Sequence, residues 1–226
     1  MAWEAWIRSG TEVEPSLYAA DFRRLGEQID LLLDAGCRIF HFDCGDGHFV
    51  PPVTMGPVVL RSIAPGIPAR GGVLDCHLMV DDPLHHLEEF AASGADSVTF
   101  HVEVAHDHAA LAGRAREHGL SVGVVFNPET SPERAAAAVA AAQAEVVLCM
   151  SIHPGYSGQA FMPEALGRIE TLAGLVDVPI QVDGGVGPDN VEALRAAGAS
   201  LFVAGSAVFG TPEPVEAYRR LAAAVA

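Results

Sequence analysis

A short apolar run, a stretch of helical periodicity and a closing glycine recur along this chain at a spacing of roughly 25 residues. Eight such runs read as strands: Glu12–Leu17, Cys37–Asp43, Val73–Met79, Ser97–Val102, Ser121–Asn127, Glu145–Ile152, Pro179–Asp183 and Leu201–Gly205. Most are apolar on successive residues, the pattern of parallel strands covered on both faces. Between the first two, Leu25, Ile29, Leu32 and Leu33 fall at helical spacing, with Asp21 placed to cap the start and Gly36 to close the end. Later helices are expected to open at Asp82-Pro83, Ser131-Pro132 and Thr211-Pro212, each a capping residue before a proline that needs no N–H in the first turn. Gly94, Gly119 and Gly198 stand, like Gly36, just before a strand. This alternation predicts an α/β fold, a (β/α)8 TIM barrel, with an open doubly wound sheet as the alternative. No change of composition marks a linker, so residues 1–226 are expected to form a single domain.

Half of the 226 residues are hydrophobic, enough for one sizeable core, and the formal net charge is −16. That balance disfavours nucleic acid and anionic membranes as partners, since neither offers counter-charge. An anionic substrate would have to be held by local dipoles. The start of the chain lacks the basic-then-apolar order of a secretory signal, and the Ala135–Ala144 stretch is too short to span a bilayer. A cytoplasmic location is the expectation. Cys37, Cys44, Cys76 and Cys149 form no CxxC pair and read as buried, reduced thiols. Alanine-rich helix faces would support a homo-oligomer, without a decisive signal for one.

In a TIM barrel the loops after the strands build the active site, and two of them are long here: Gly45–Pro57 and Pro154–Phe161. Residues two apart on a strand share a face, so His41 and Asp43 both point to one side near the end of the second strand. His77 lies late in the third strand and Asp183 ends the seventh. Two imidazoles and two carboxylates at strand ends suit one divalent ion, Zn, Fe, Mn or Co, and residue type alone does not choose among them. His101, beside Glu103, reads as a partner of a ligand rather than a ligand. His85, His86, His106, His108 and His118 read as solvated.

Three glycine-bearing segments follow the last three strands: Gly155-Tyr156-Ser157-Gly158, Asp183-Gly184-Gly185 and Gly205-Ser206. Small residues let backbone N–H groups approach an anion, and the loops after the seventh and eighth barrel strands are a common phosphate site. A strongly acidic chain can hold a phosphate this way without lysine or arginine.

The stretches PSLYAADF (Pro15–Phe22), HFDCGDGHFVP (His41–Pro51), DCHLMV (Asp75–Val80), MSIHPGYSGQAFMPE (Met150–Glu164), VDGGV (Val182–Val186) and VAGSAVF (Val203–Phe209) resemble the ribulose-phosphate 3-epimerase family over nearly the whole chain. The resemblance implies that His41, Asp43, His77 and Asp183 hold the metal, that Asp43 and Asp183 are the acid/base pair, and that Ser16 helps bind substrate. It implies phosphate on the backbone at Gly155–Gly158, Gly184-Gly185 and Gly205-Ser206, and methionine side chains, Met79 and Met150, near the reacting centre. The substrate expected by default is D-ribulose 5-phosphate, converted to D-xylulose 5-phosphate.

Departures from the family pattern fall at Gly45, where methionine is usual, at Tyr18 for leucine, Ala19 for serine, Pro52 for asparagine and Ser157 for glycine or alanine. Gly45 would remove volume beside the reacting centre and Tyr18 would add bulk, so Tyr18, Gly45 and Pro52 are specificity candidates. They raise the alternative of a longer substrate, a hexulose or heptulose phosphate. A phosphosugar-binding protein without catalysis is a second alternative. Decarboxylases of the orotidine-phosphate type use an Asp-x-Lys-x-x-Asp array, whereas this chain contains no lysine at all, which also excludes a Schiff-base aldolase.

Overall fold

The structure, a computed structural model, describes residues 5, 7 and 10–226. Eight parallel strands form one sheet: β1 (Glu12–Pro15), β2 (Ile39–Gly45), β3 (Val73–Met79), β4 (Ser97–His101), β5 (Ser121–Phe126), β6 (Val146–Met150), β7 (Ile180–Asp183) and β8 (Leu201–Ala204). They pair in the order β1-β8-β7-β6-β5-β4-β3-β2, and a parallel bridge from Ser16 to His41 joins the two ends. The sheet is therefore a closed barrel, and the open-sheet alternative is excluded.

The helices are α1 (Leu25–Asp34), α2 (Pro57–Ile63), α3 (Leu87–Ala92), α4 (His108–Glu117), α5 (Pro132–Ala142), α6 (Ala165–Ala173), α7 (Val191–Ala196), the short α8 (Ser206–Phe209) and α9 (Pro214–Val225). No helix among the described residues is long and apolar enough to cross a membrane. Ser131 caps α5 as expected, its hydroxyl accepting the Arg134 N–H. The other expected starts shift. Asp21 accepts the Arg23 N–H at 3.0 Å but caps a 3₁₀ turn that precedes α1. Pro83 likewise opens a 3₁₀ turn, and Asp82 makes no capping bond. Thr211 donates back to the Val208 carbonyl at 3.1 Å, so α9 begins only at Pro214. The glycines before strands meet the reading: Gly36, Gly94, Gly119 and Gly198 all have φ between 81° and 114°, the left-handed turn that ends a helix cheaply only without a Cβ.

On the outer face of the sheet, Phe40, Phe42, Phe100, Phe126 and Phe202 are buried against the helices, with Phe42 edge-on to Phe90 of α3 at 6.3 Å. Burying each such ring contributes roughly 1.5–3 kcal/mol. Inside the barrel, alternate residues form tiers. Nearest the amino ends, Ile39, Val73, Val146 and Leu201 pack with Ile7 as an apolar plug. Two residues further along β2 and β3 come His41 and Asp75, joined by Glu14 of β1 and Gln181 of β7, all fully buried. Two residues beyond these, Ser16, Asp43, His77 and Asp183 reach the carboxyl ends of their strands.

Candidate active site

The tiering decides the geometry. The ligand atoms of His41, Asp43, His77 and Asp183 all lie within 4.8 Å of one another. The neighbouring strands β2 and β3 set Asp43 beside His77 in register, and their side chains meet at 3.3 Å, Asp43 Oδ1 to His77 Nδ1. His41 Nε2 lies 3.4 Å from the same oxygen. Ser16 donates to the other carboxylate oxygen of Asp43 at 2.6 Å.

Each imidazole is held from behind. Asp75 accepts from Ser97 at 2.6 Å and from Gln181 at 2.8 Å, and its Oδ2 lies 3.1 Å from His41 Nδ1. A carboxylate can only accept, so His41 carries a hydrogen on Nδ1, and in the neutral form that a cation requires it turns a bare Nε2 toward the cluster. That Nε2 is a buried nitrogen without a hydrogen-bond partner. Unpartnered and aimed among two carboxylates and a second imidazole, it is the donor a divalent cation needs, and the set of four fits one.

The two acids are driven in opposite directions. Burial opposes a charge on Asp43, but His41 and His77 outweigh it and hold its pKa below the ordinary carboxylate value. Asp183 is pushed up to about 6 by burial and then by the charge of Asp43. Burial likewise opposes a charge on His41, and Asp43 with Asp75 outweighs it, raising its pKa well above the usual imidazole value. Paired carboxylates whose environments separate their pKa values can supply one base and one acid.

Above the cluster opens a cavity whose lining includes Ser16, Tyr18, Asp43, Met79, Met150 and Asp183 at the inner end. Its outer end is lined by all four residues of Gly155–Gly158 and by Gly184, Gly185, Gly205 and Ser206. The three glycine segments therefore converge. Gly185 has φ +63° and its Cα comes so close to the Phe161 backbone that a Cβ would lie 2.7 Å from its nitrogen. His41 and His77 lie beneath the cavity, fully buried, rather than in its wall.

Gly45 and Pro52 do not line the cavity, which corrects the expectation of space opened by a missing methionine. Strand parity does turn Gly45 the same way as Asp43. The chain then folds back over it: Asp46 bridges Val53, Gly45 N donates to Thr54 at 2.7 Å, and a Cβ on Gly45 would meet Val50 at 2.8 Å and the Pro52 carbonyl at 2.9 Å. Asp46 pins this return by accepting the N–H groups of His48 and Phe49 at 2.8 Å and of Asp81 at 2.9 Å. The volume is filled by the loop itself. Gly45→Met should therefore overpack the loop and cost about 1–3 kcal/mol. Calorimetry checks this; a methionine variant as stable as the parent with a smaller cavity would return position 45 to the pocket wall.

The sequence reading missed Glu14, Asp75 and Gln181. Gln181 Nε2 is shared between Glu14 and Asp75. Burial and the charge of Asp75 raise the Glu14 pKa well above its ordinary value, so this acid favours its neutral form. A signal was present, since each of the three stands two residues before Ser16, His77 or Asp183 on the same strand face.

The model of the Ribulose-phosphate 3 epimerase family matches residues 12–209. Ribulose-phosphate 3-epimerase of Synechocystis sp. is 40% identical, covering 91% of this chain and 90% of its own. The Escherichia coli protein of the same name is 39% identical over 89% and 90% of the two chains. Among solved structures, a 3-hexulose-6-phosphate synthase superposes with a TM-score of 0.74 over 95% of this chain and all of its own, at 22% identity, a likeness of fold alone. Matched over residues 12–209, nearly the whole barrel, the chain belongs to the ribulose-phosphate 3-epimerase family and is an isomerase-class enzyme, a carbohydrate epimerase.

Proposed function

We propose that the enzyme inverts the carbon next to the carbonyl of a ketose phosphate, taking D-ribulose 5-phosphate to D-xylulose 5-phosphate. The observation that carries this reading is the pair of carboxylates in one cavity, Asp43 held below and Asp183 held above the ordinary pKa. Asp43, ionised, takes the weakly acidic proton from one face of the carbon. Asp183, the weaker acid of the two and so the one that takes up a proton more readily, returns one to the other face, and the roles exchange for the reverse reaction. Acid/base work of this kind contributes about 10²–10⁴ in rate. Ser16, donating to Asp43 at 2.6 Å, fixes the orientation of that carboxylate.

His41, Asp43, His77 and Asp183 would hold one divalent cation, Zn, Fe, Mn or Co, which when bound supplies Lewis-acid stabilisation of the charge that develops on the substrate oxygen. The glycine segments bind the phosphate through main-chain N–H groups, compatible with a chain that carries a net charge of −16 and no lysine. Met79 and Met150 supply apolar surface around the reacting carbon. Of the features that suggested a longer sugar, Tyr18 remains in the cavity wall while Gly45 does not, which favours the pentulose phosphate.

The test is exchange of the C3 proton in deuterated water. With D-ribulose 5-phosphate, metal-replete enzyme should place deuterium at C3 and form the epimer. Chelation should abolish both, and added Zn²⁺, Co²⁺, Mn²⁺ or Fe²⁺ should restore them. A metal-replete protein that binds the sugar phosphate without exchange would be a binding protein instead. Faster turnover of a hexulose or heptulose phosphate would move the substrate assignment.

A further inference from the structure

We infer that His101, the last residue of β4, and Glu103 just beyond it, neither of which lines the cavity or belongs to the cation cluster, are positioning residues that decide which nitrogen His77 offers to the metal. The inference rests on the metal-dependent reading above. β4 is the neighbour of β3 in the barrel, yet it contributes none of the four clustered side chains. What it contributes is a chain of hydrogen bonds running into the cluster from the side.

The direction of that chain is fixed at its outer end. Glu103 Oε1 accepts the Asn127 N–H at 3.0 Å and the Thr130 hydroxyl. Its other oxygen faces His101 Nδ1 at 3.2 Å. A carboxylate bound by these donors is an acceptor only, so His101 carries a hydrogen on Nδ1. The neutral imidazole then presents a lone pair at Nε2, which lies 2.9 Å from His77 Nε2. Two lone pairs at that distance would repel, so His77 carries its hydrogen on Nε2 and donates it. The lone pair left on His77 Nδ1 points to the Asp43 carboxylate and the cluster. His101 is fully buried, with the Phe49 ring 4.5 Å away, so no water competes for its contact with His77.

His41 reaches the same end by the opposite nitrogen, because Asp75 holds its Nδ1 hydrogen directly. The two imidazoles thus bind in opposite senses, and the barrel needs a different device for each. For His77 the device is two residues long. Partners of this kind orient ligand histidines and raise their basicity, and losing one typically weakens metal binding about 10–100-fold.

An isosteric substitution separates this role from packing. In Glu103→Gln the Oε1 site keeps the donors Asn127 and Thr130, which leaves the amide NH₂ facing His101 Nδ1. That end of the relay now donates, the hydrogens along it reverse, and His77 turns an N–H toward the metal. His101→Gln should behave otherwise, since its amide can donate to Glu103 while its carbonyl accepts from His77, preserving the direction. Zn²⁺ affinity, measured by competition with a chromophoric chelator, should fall about 10–100-fold in Glu103→Gln and stay within about threefold of the parent in His101→Gln. A purely structural role predicts the reverse order, because only the second variant loses a buried ring.

Nitrogen-15 NMR of the Zn²⁺-loaded parent protein provides the check that needs no variant. The bridging hydrogen should sit on His77 Nε2, with His101 protonated at Nδ1 alone. Protonation of His101 at both nitrogens, or Glu103→Gln binding Zn²⁺ as tightly as the parent, would overturn the inference. Failure of the parent protein itself to bind Zn²⁺ or any of the other ions would instead overturn the metal reading on which it rests.

Discussion

Asp183→Asn should lower turnover of D-ribulose 5-phosphate about 10²–10⁴-fold while leaving the barrel folded. Asparagine keeps the shape of the side chain and its ability to accept a hydrogen bond, but it can neither deliver nor take a proton. With Asp43 as the only remaining base, proton removal from one epimer can still occur from one face. Deuterium should therefore wash into C3 of that epimer more readily than the inverted product accumulates. Exchange and inversion lost together to the same degree would indicate that Asp183 acts through the metal rather than on the carbon. A variant retaining more than about a tenth of parental turnover would remove Asp183 from the acid/base pair.

The same substitution has a signed effect on stability. In metal-free protein the folded pKa of Asp183, about 6, lies above its ordinary value of 3.8. Between these two values the unfolded chain has released a proton that the native state retains, so stability falls as pH rises across that window and levels off above it. Asparagine has no such proton. Thermal melts of the metal-free proteins from pH 4 to 7 should show the decline flattened in the variant, a result that a merely steric role for Asp183 would not produce.

Gly184→Ala should be the most damaging single methyl in the site. Gly184 has φ +118°, a region that residues with a Cβ avoid, and the added atom would lie 2.3 Å from Ile152 Cγ1 and 2.9 Å from the Ile152 nitrogen. Ile152 can turn its side chain aside, but its backbone cannot withdraw freely, because Ser151 N donates to the Asp183 carbonyl at 2.7 Å and its hydroxyl to the Gly184 carbonyl at 2.6 Å. Backbone strain of about 1–3 kcal/mol and overpacking of a similar size add to roughly 2–6 kcal/mol. For a chain of this length that lowers the melting temperature by about 2–4 °C per kcal/mol. Affinity for inorganic phosphate should fall as well, since the turn that bears Gly184 and Gly185 must move away from the ends of β6 and β7. A variant with the parental melting temperature and phosphate affinity would show that the turn is softer than its contacts imply.

The strands and the four clustered residues were readable from the chain because parallel barrel strands are apolar almost throughout. Against that background His41, Asp43, His77 and Asp183 stand out, and strand parity assigns His41 and Asp43 one direction. The tier beneath was not read, although parity applies there too. Glu14, Asp75 and Gln181 looked like isolated polar residues because their partners lie far apart in sequence, Gln181 from Glu14 by 167 positions. Gly45 failed for a different reason. Its direction followed from parity, but what stands in front of it depends on how Asp46 turns the next loop and where Asp81 meets it, and neither is a local property of the chain. The helix starts at Asp82 and Thr211 moved for the same cause: a proline after a capping residue allows a first turn, while 3₁₀ geometry and the end of α8 decided where the α-helix began.

The bridge between Ser16 and His41 has a consequence for how the molecule holds together. It is the narrowest seam of the cylinder, where the first and second strands meet, and the residue on its far side is one of the four that face the cation cluster. A partner that grips β2, β3 and β7 at once can do so only while the seam is shut, so occupancy acts as a clasp. Tight binding is then converted into heat resistance, growing with the logarithm of free ion over its dissociation constant.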